Sequence, residues 1–427
     1  MQNMSTLPTR KPLRVLISGA GIGGPVLAYW LSKAGHSVTV IERSPRLRKE
    51  GQTVDITGDG LKVIKWMDLL EAIRARTTKE EGTKFVDTRN RVIASFPFTG
   101  GLSVTNEFEI VRGELAEVFY EASKGKAEYV FGESISMIEE MGDCAEVTFA
   151  SEDGKKRQYD VVVVAEGLAS RTRALVLGED VRAPIKPLHM WSASFSFAQG
   201  KNDDQWARVY HIPNRRLLFI RPDGLGRVRA NACVIDDSEK ILSISGIRDR
   251  EKQKEHFINL FNGTGWETDR VMDGLRQADD LYLQERAQAK NKTWSKGRVV
   301  LVGDTAYCPS PLGGGGCTSA IIGAYVLAAE IVQHQDNPQA GFAAYEATMR
   351  PYVDDIQSIP RVFPHLALPE TEWGIRILHV VVYLFSLAAK TGLITAIGKI
   401  TTYFNIGQDQ FPNLPDPSIF EREGKQE

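Results

Sequence analysis

The sequence predicts an α/β fold: a doubly wound parallel sheet, an antiparallel sheet inserted into it, and a helical C-terminal region. Three observations predict it. Residues 13–43 run strand, glycine turn, helix, strand. Four consecutive valines, Val161 to Val164, suit a strand buried on both faces. Residues 187–235 carry alternating runs punctuated by turn residues, the pattern of antiparallel strands.

The opening stretch, LRVLISGAGIGGPVLAYWLSKAGHSVTVIER, is the most informative. Leu13 to Ser18 is a short apolar run, and Gly19, Gly21 and Gly24 follow it with G-x-G-x-x-G spacing. Pro25 to Lys33 is helical in pattern, Gly35 ends that helix, and His36 to Ile41 forms a second strand with Glu42 at its tip. Gly19 permits the tight turn, Gly21 lets the backbone approach a pyrophosphate, and Gly24 lets the helix pack closely on the strand. The phosphates meet the positive end of the helix dipole. Glu42 suits both hydroxyls of an adenosine ribose, which favours a nucleotide without a 2′-phosphate. The unit is a Rossmann-like dinucleotide site.

The bulk numbers bound the answer. At 427 residues the chain can bury a large core in two closely packed domains. A formal net charge of −2 gives no electrostatic reason to expect nucleic acid. Cys144, Cys233, Cys308 and Cys317 form no C-x-x-C pair, which argues against a redox dithiol, a zinc ribbon or a disulfide framework. No metal cluster is expected, and a reducing, cytoplasmic setting is. The polar N-terminal dozen residues show no signal peptide.

Along the chain, residues 52–56 read as a short strand and 60–76 as one helix with Leu61, Ile64, Leu69 and Ile73 on its apolar side. Residues 84–98 form a hairpin turned at Arg89-Asn90, and a helix opens at Arg112. Residues 132–150 look like paired strands, and 158–165 form one strand ending in Glu166-Gly167. In WSASFSF (191–197), Trp191, Ala193, Phe195 and Phe197 share one face and the serines the other. Two further strands meet at the turn Pro222-Asp223-Gly224, which explains Gly224 and Gly226 better than a second nucleotide fingerprint does. Helices over 251–263 and 267–277 follow.

The sheet resumes at Arg298–Gly303, and Gly303-Asp304 leads into a glycine-rich loop (309–316) and a helix over 317–334 that is apolar or small on nearly every side. That helix must be buried. Its N-terminus suits developing negative charge on a flat ligand, and Asp304 suits the hydroxyls of a linear polyol. Residues 375–399 contain an apolar segment read as a core or lid helix, with interfacial membrane contact or a protein–protein face as the alternative. The tail from Phe411 reads as a loosely attached end.

With these motifs in place, the sequence resembles the single-component, class A FAD-dependent monooxygenases. These include the para-hydroxybenzoate-type hydroxylases, the tetracycline-inactivating enzymes and fungal secondary-metabolite enzymes. The motifs cover residues 13–60, 108–120, 158–173 and 298–330 in family order. The resemblance implies a Rossmann-like FAD-binding domain (11–180 and 286–365), an inserted β-sheet substrate domain (181–285) and a C-terminal helical segment with its tail (366–427). It implies that Gly19, Gly21, Gly24, Glu42, Arg43 and Arg112 hold the nucleotide part of FAD. It assigns Gly303 and Asp304 to the ribityl chain, and Pro311, Gly314 and Gly316 to the loop beside the isoalloxazine. Two positions depart from the pattern: Glu166-Gly167 stands where Asp-Gly is usual, and Tyr307 where His is frequent.

The implied reaction uses NAD(P)H and O2 to insert one oxygen atom into an aromatic or polycyclic small molecule. That substrate is expected under a roof bearing Phe195, Phe197, Phe219 and Arg221, with Pro311 opposite and His211 as a candidate base. An FAD-dependent oxidase or dehydrogenase would keep every nucleotide motif. A non-enzymatic binding protein on the same fold is a further alternative, and the intact Gly303-Asp304 pair argues against it.

Overall fold

The computed structural model describes residues 11–98, 107–151, 154–246, 249–309, 315–358, 363–391 and 411–421. Within these the chain is mixed α/β. A six-stranded sheet is ordered Ser295–Lys296, Val299–Leu301, Val161–Val164, Arg14–Ser18, Ser37–Glu42 and Glu128–Phe131. All its pairings are parallel except that of the short first strand. The valine strand is fully buried, as its composition demands, and its ends point at the first glycine turn. Against this sheet pack the first helix, Gly23–Lys33, and the helix Gly316–Gln333, whose residues from Thr318 to Ala329 are all buried.

A seven-stranded sheet runs in the order Tyr282–Ala289, Ile185–Ala198, Arg227–Ile235, Arg216–Pro222, Trp206–Ile212, Gly82–Val86 and Val92–Pro97. Its pairings are antiparallel apart from the join of Trp206–Ile212 to Gly82–Val86. One face carries Trp191, Phe195, Phe197, Ala230 and Ile220 into a second core with Phe257, Phe261, Val271 and Leu275 from two helices, Arg250–Phe261 and Thr268–Gln277. The other face looks toward the first domain-sized layer. A two-stranded ladder, Thr53–Asp55 with Glu109–Val111, lies between the two large sheets and sets Asp55 directly opposite Glu109.

Several local expectations change. The single helix over 60–76 is two helices, Gly58–Trp66 and Leu70–Arg74, because Asp68 takes a left-handed conformation (φ 58°) and ends the first. The strand over 158–165 is also two, broken at Asp160, whose carboxylate binds Arg14 at 2.8 Å. The strand Tyr282–Ala289 was not anticipated, and the expected boundary between residues 285 and 286 falls inside it. The tail over its described residues, 411–421, is not loose: Phe420 is buried against Trp30 and Tyr325, and the Tyr325 hydroxyl donates to Pro415 O at 2.6 Å.

Two helices have the length and composition to cross a membrane. Gly316–Gln333 is the core helix just described, with 83% of its span buried. Glu372–Lys390 is only 11% buried and leaves Trp373, Ile377, Val380 and Leu384 exposed. The rest of the segment expected over 375–399 lies outside the described residues. All four cysteines are free, and no cluster fit for a metal occurs among the described residues.

Candidate active site

One cavity of about 720 Å³ lies between the two large sheets. Both glycine-bearing turns open onto it: Gly19, Gly21 and Gly23 from the first, Gly303, Gly315 and Gly316 from the second. Gly24 sits just behind, in the helix. A Cβ at Gly24 would stand 2.0 Å from Gly19 O, and one at Gly19 would stand 2.4 Å from Ala165 O. Neither position tolerates a side chain, so the strand, turn and helix approach as closely as backbone allows. Gly19 also takes φ +117°, outside the range that other residues favour.

Glu42 is held in the cavity wall by two backbone donors. Ala20 N–H reaches its Oε2 at 3.1 Å and Ser44 N–H its Oε1 at 2.9 Å. Arg43, Arg48 and Arg112 also line the cavity, Arg48 at 4.0 Å from Glu42 and Arg112 within electrostatic reach of Asp304. In the second glycine-bearing turn Asp304 opens a short helix, Asp304–Tyr307, behind Gly303 (φ +63°). Burial raises the Asp304 pKa, while Arg112 pulls it the other way. The helix Gly316–Gln333 begins beside it, with Gly315 in a left-handed conformation (φ +72°) as the preceding cap. Its first-turn N–H groups and the helix dipole favour negative charge there. Pro311 and Gly314 lie outside the described residues.

Glu166, which stands where an aspartate was the norm, is fully engaged. It accepts from Ser18 Oγ, Ser170 Oγ and Thr172 Oγ1, each at 2.6 Å, and from Thr172 N–H at 3.3 Å. The longer side chain bridges the first strand and the start of the helix Arg171–Leu177. Tyr307 is buried and points into the core, where Tyr345 donates to its hydroxyl at 3.1 Å.

The roof is the seven-stranded sheet: Phe219 and Arg221 line the cavity as expected, but the strand Ile185–Ala198 turns toward it the face opposite to that expected. Phe195 and Phe197 do not line the cavity. They point into the second core, because helices cover that side of the sheet and apolar residues are drawn to it. Ser192 and Ser194 face inward with Asn231 and Cys233, their ladder partners. Phe219, Leu217 and Val209 supply the apolar part of this ceiling.

Arg221 does reach the cavity, yet its guanidinium is committed. Nε lies 2.8 Å from Glu80, and Nη1 contacts Glu109 and Thr53. Burial raises the pKa of both Glu80 and Asp55, and Arg221 opposes each rise. Asp55 lines the cavity, and its Oδ1 has no hydrogen-bond partner among the described residues.

His211 shares a face with Val209 but lies outside the cavity lining, stacked on Phe85 and 3.2 Å from His379. Burial lowers its pKa to about 4. It is therefore a poor base for cavity chemistry.

Residues not singled out from the sequence are Asp55, Glu109, Asn231, Gln284 and Arg286, all in the cavity wall. The alternation in the 191–197 run contained the signal for part of this set, since Asn231 and Cys233 repeat it on the paired strand.

Comparison with known proteins agrees with this architecture. Residues 12–358 match the FAD binding domain family. The FAD-dependent monooxygenase asL4 of Sarocladium schorii is 34% identical over 407 residues, covering 88% of this chain and 93% of that protein. The flavin-dependent monooxygenase eupH of a Phoma species is 36% identical over 393 residues, covering 86% and 91%. Among solved structures, the tetracycline destructase Tet(51) superposes with a TM-score of 0.73 at 28% identity, covering 89% of this chain and 98% of that one. The chain belongs to the FAD binding domain family, and it is an FAD-dependent monooxygenase.

Proposed function

We propose that this enzyme uses NAD(P)H and O2 to place one oxygen atom on an aromatic or polycyclic small molecule of secondary metabolism. The carrying observation is that one cavity joins both glycine turns to the inner face of the seven-stranded sheet. A long dinucleotide can then bind along the parallel sheet while a flat substrate lies under the roof. FAD, when bound, supplies electron transfer from the nicotinamide and activation of O2.

The residues fit that cofactor. Gly19 and Gly24 leave no side chain in the turn, Gly21 opens onto the cavity, and Glu42 presents a carboxylate already oriented by Ala20 and Ser44. Arg43 and Arg112 would balance the pyrophosphate charge, and Asp304 would accept from the ribityl hydroxyls. Gly316 and the start of its helix would stabilise negative charge on the flavin ring. Phe219 and Leu217 would form the apolar ceiling over the substrate and keep water from it. Asp55 is better placed than His211 to hold or move a proton, because it faces the cavity and one of its oxygens has no partner among the described residues. In this reading the sheet strands from residue 185 to 289 form the inserted substrate domain. The four free thiols suit a reducing cytoplasm.

The test is oxygen incorporation. Purified yellow protein should consume NADPH faster when a polycyclic phenol is added, and isotopically labelled O2 should leave one labelled atom in the product. Hydrogen peroxide formed in place of labelled product would instead identify an oxidase. Asp55→Asn should keep bound FAD and lose about 100-fold or more in turnover.

A further inference from the structure

We infer that Arg286 is the anchor for a negatively charged oxygen of the substrate, so that the preferred substrates are flat molecules bearing a carboxylate or an ionised enol. The inference rests on the monooxygenase reading above and narrows its substrate class.

Four arginines are buried among the described residues: Arg173, Arg221, Arg229 and Arg286. Three are answered. Arg173 donates to the carbonyl oxygens of Leu168, Val181 and Thr305 at 2.7–3.2 Å. Arg221 is held by Glu80 and Glu109. Arg229 donates to Gly51 O at 2.7 Å and stands 3.4 Å from Asp280. Arg286 has no ion pair among the described residues, and its one hydrogen bond there runs from Nη2 to Ser192 Oγ at 3.1 Å. Its Nε is buried without a partner among the described residues. A buried guanidinium without a counter-charge is costly, and a fold gains nothing from keeping it there. The missing partner is supplied by what enters the cavity.

Placement supports this. Arg286 is 8% exposed and lines the cavity on the strand Tyr282–Ala289, whose ladder sets it opposite Met190. Its sequence neighbour Glu285 lies on the other face, paired with Arg182, and so does not answer it. Gln284 and Asn231 share the cavity wall with Arg286. Asn231 uses its Oδ1 to accept from Ser194, so its amide N–H groups remain for a ligand. This corner of the roof therefore offers donors and a fixed positive charge, next to the apolar surface of Leu217 and Phe219. A planar guanidinium suits an oxyanion at the edge of a flat ring system.

The test titrates the oxidised holoenzyme with two acid–neutral pairs, salicylate with methyl salicylate and lawsone with its methyl ether, reading the flavin absorbance change. The first pair probes a carboxylate, the second an ionised enol. Wild type should bind at least one acid about 10- to 100-fold more tightly than its neutral partner. Arg286→Gln should erase that preference with unchanged FAD content, and Arg286→Lys should restore part of it. Equal binding of acid and neutral forms by wild type, binding of neither, or an intact preference in Arg286→Gln overturns the inference. So does a raised KM for NADPH in Arg286→Gln with acid binding unchanged, which would assign the charge to the nicotinamide dinucleotide. Wild type that purifies without flavin would instead sink the monooxygenase reading itself.

Discussion

Asp304 and Glu42 both line one cavity, and substitution of each is expected to cost the enzyme its flavin rather than its fold. Asp304 is a carboxylate whose burial raises its pKa, and Arg112 is the cation that opposes this rise. In the proposed reading Asp304→Ala removes an acceptor for a hydroxyl chain, and it relieves the protein of a buried acid. A lost hydrogen bond to a charged group costs about 1.5–3 kcal/mol, which is about 10- to 100-fold in affinity. The variant should purify folded, by circular dichroism, and largely colourless. A full visible flavin spectrum would contradict the role assigned to it. Glu42→Ala should weaken FAD over the same range in a calorimetric titration. It also frees the N–H groups of Ala20 and Ser44, so the turn should loosen before the sheet does.

At the scale of the element, the seven-stranded sheet shows what alternation reveals and what it withholds. The 191–197 run states that Phe195 and Phe197 share a face. Which face looks into the cavity depends on the helices Arg250–Phe261 and Thr268–Gln277, which cover the aromatic side. That is a tertiary fact, and no period within one strand contains it. The first glycine turn was legible because strand, turn, helix and acid are contiguous in the chain. The strand Tyr282–Ala289 was not, because its LQERAQ core carries no apolar alternation. With it went Gln284 and Arg286.

A prediction separates the two faces. Phe195 is fully buried in the second core, so Phe195→Ala should lower stability by about 3–5 kcal/mol in denaturant titration. The KM of the surviving folded enzyme should stay within about twofold of wild type. A large rise in KM with little loss of stability would return Phe195 to the substrate wall.

At the scale of the molecule, the helices after residue 363 are tied to the sheet through a histidine pair. His379, on the exposed helix Glu372–Lys390, lies 3.2 Å from His211 in the roof, and Phe85 stacks on the other side of His211. The backbone at Ala367 also contacts His211, and Asp87 is the acid that acts on His379. Burial holds His211 down to about 4, whereas an unfolded histidine titrates near 6.5. Between those values the unfolded chain binds the proton and the folded chain does not, so falling pH favours unfolding there. The full effect is on the order of 3 kcal/mol, present above about pH 6.5 and lost as the pH approaches 4. Other groups titrate in the same window, so the informative quantity is a difference. Wild type should lose denaturant resistance between pH 7 and pH 5 more steeply than His211→Gln, which takes up no proton there. Parallel slopes for the two proteins would mean that burial leaves His211 unshifted, and a shallower loss in wild type than in His211→Gln would mean that His211 is already protonated in the fold. In that case the 3.2 Å contact to His379 would have to be a donor–acceptor bond from a charged ring, and the C-terminal helices would be held more tightly in acid rather than less.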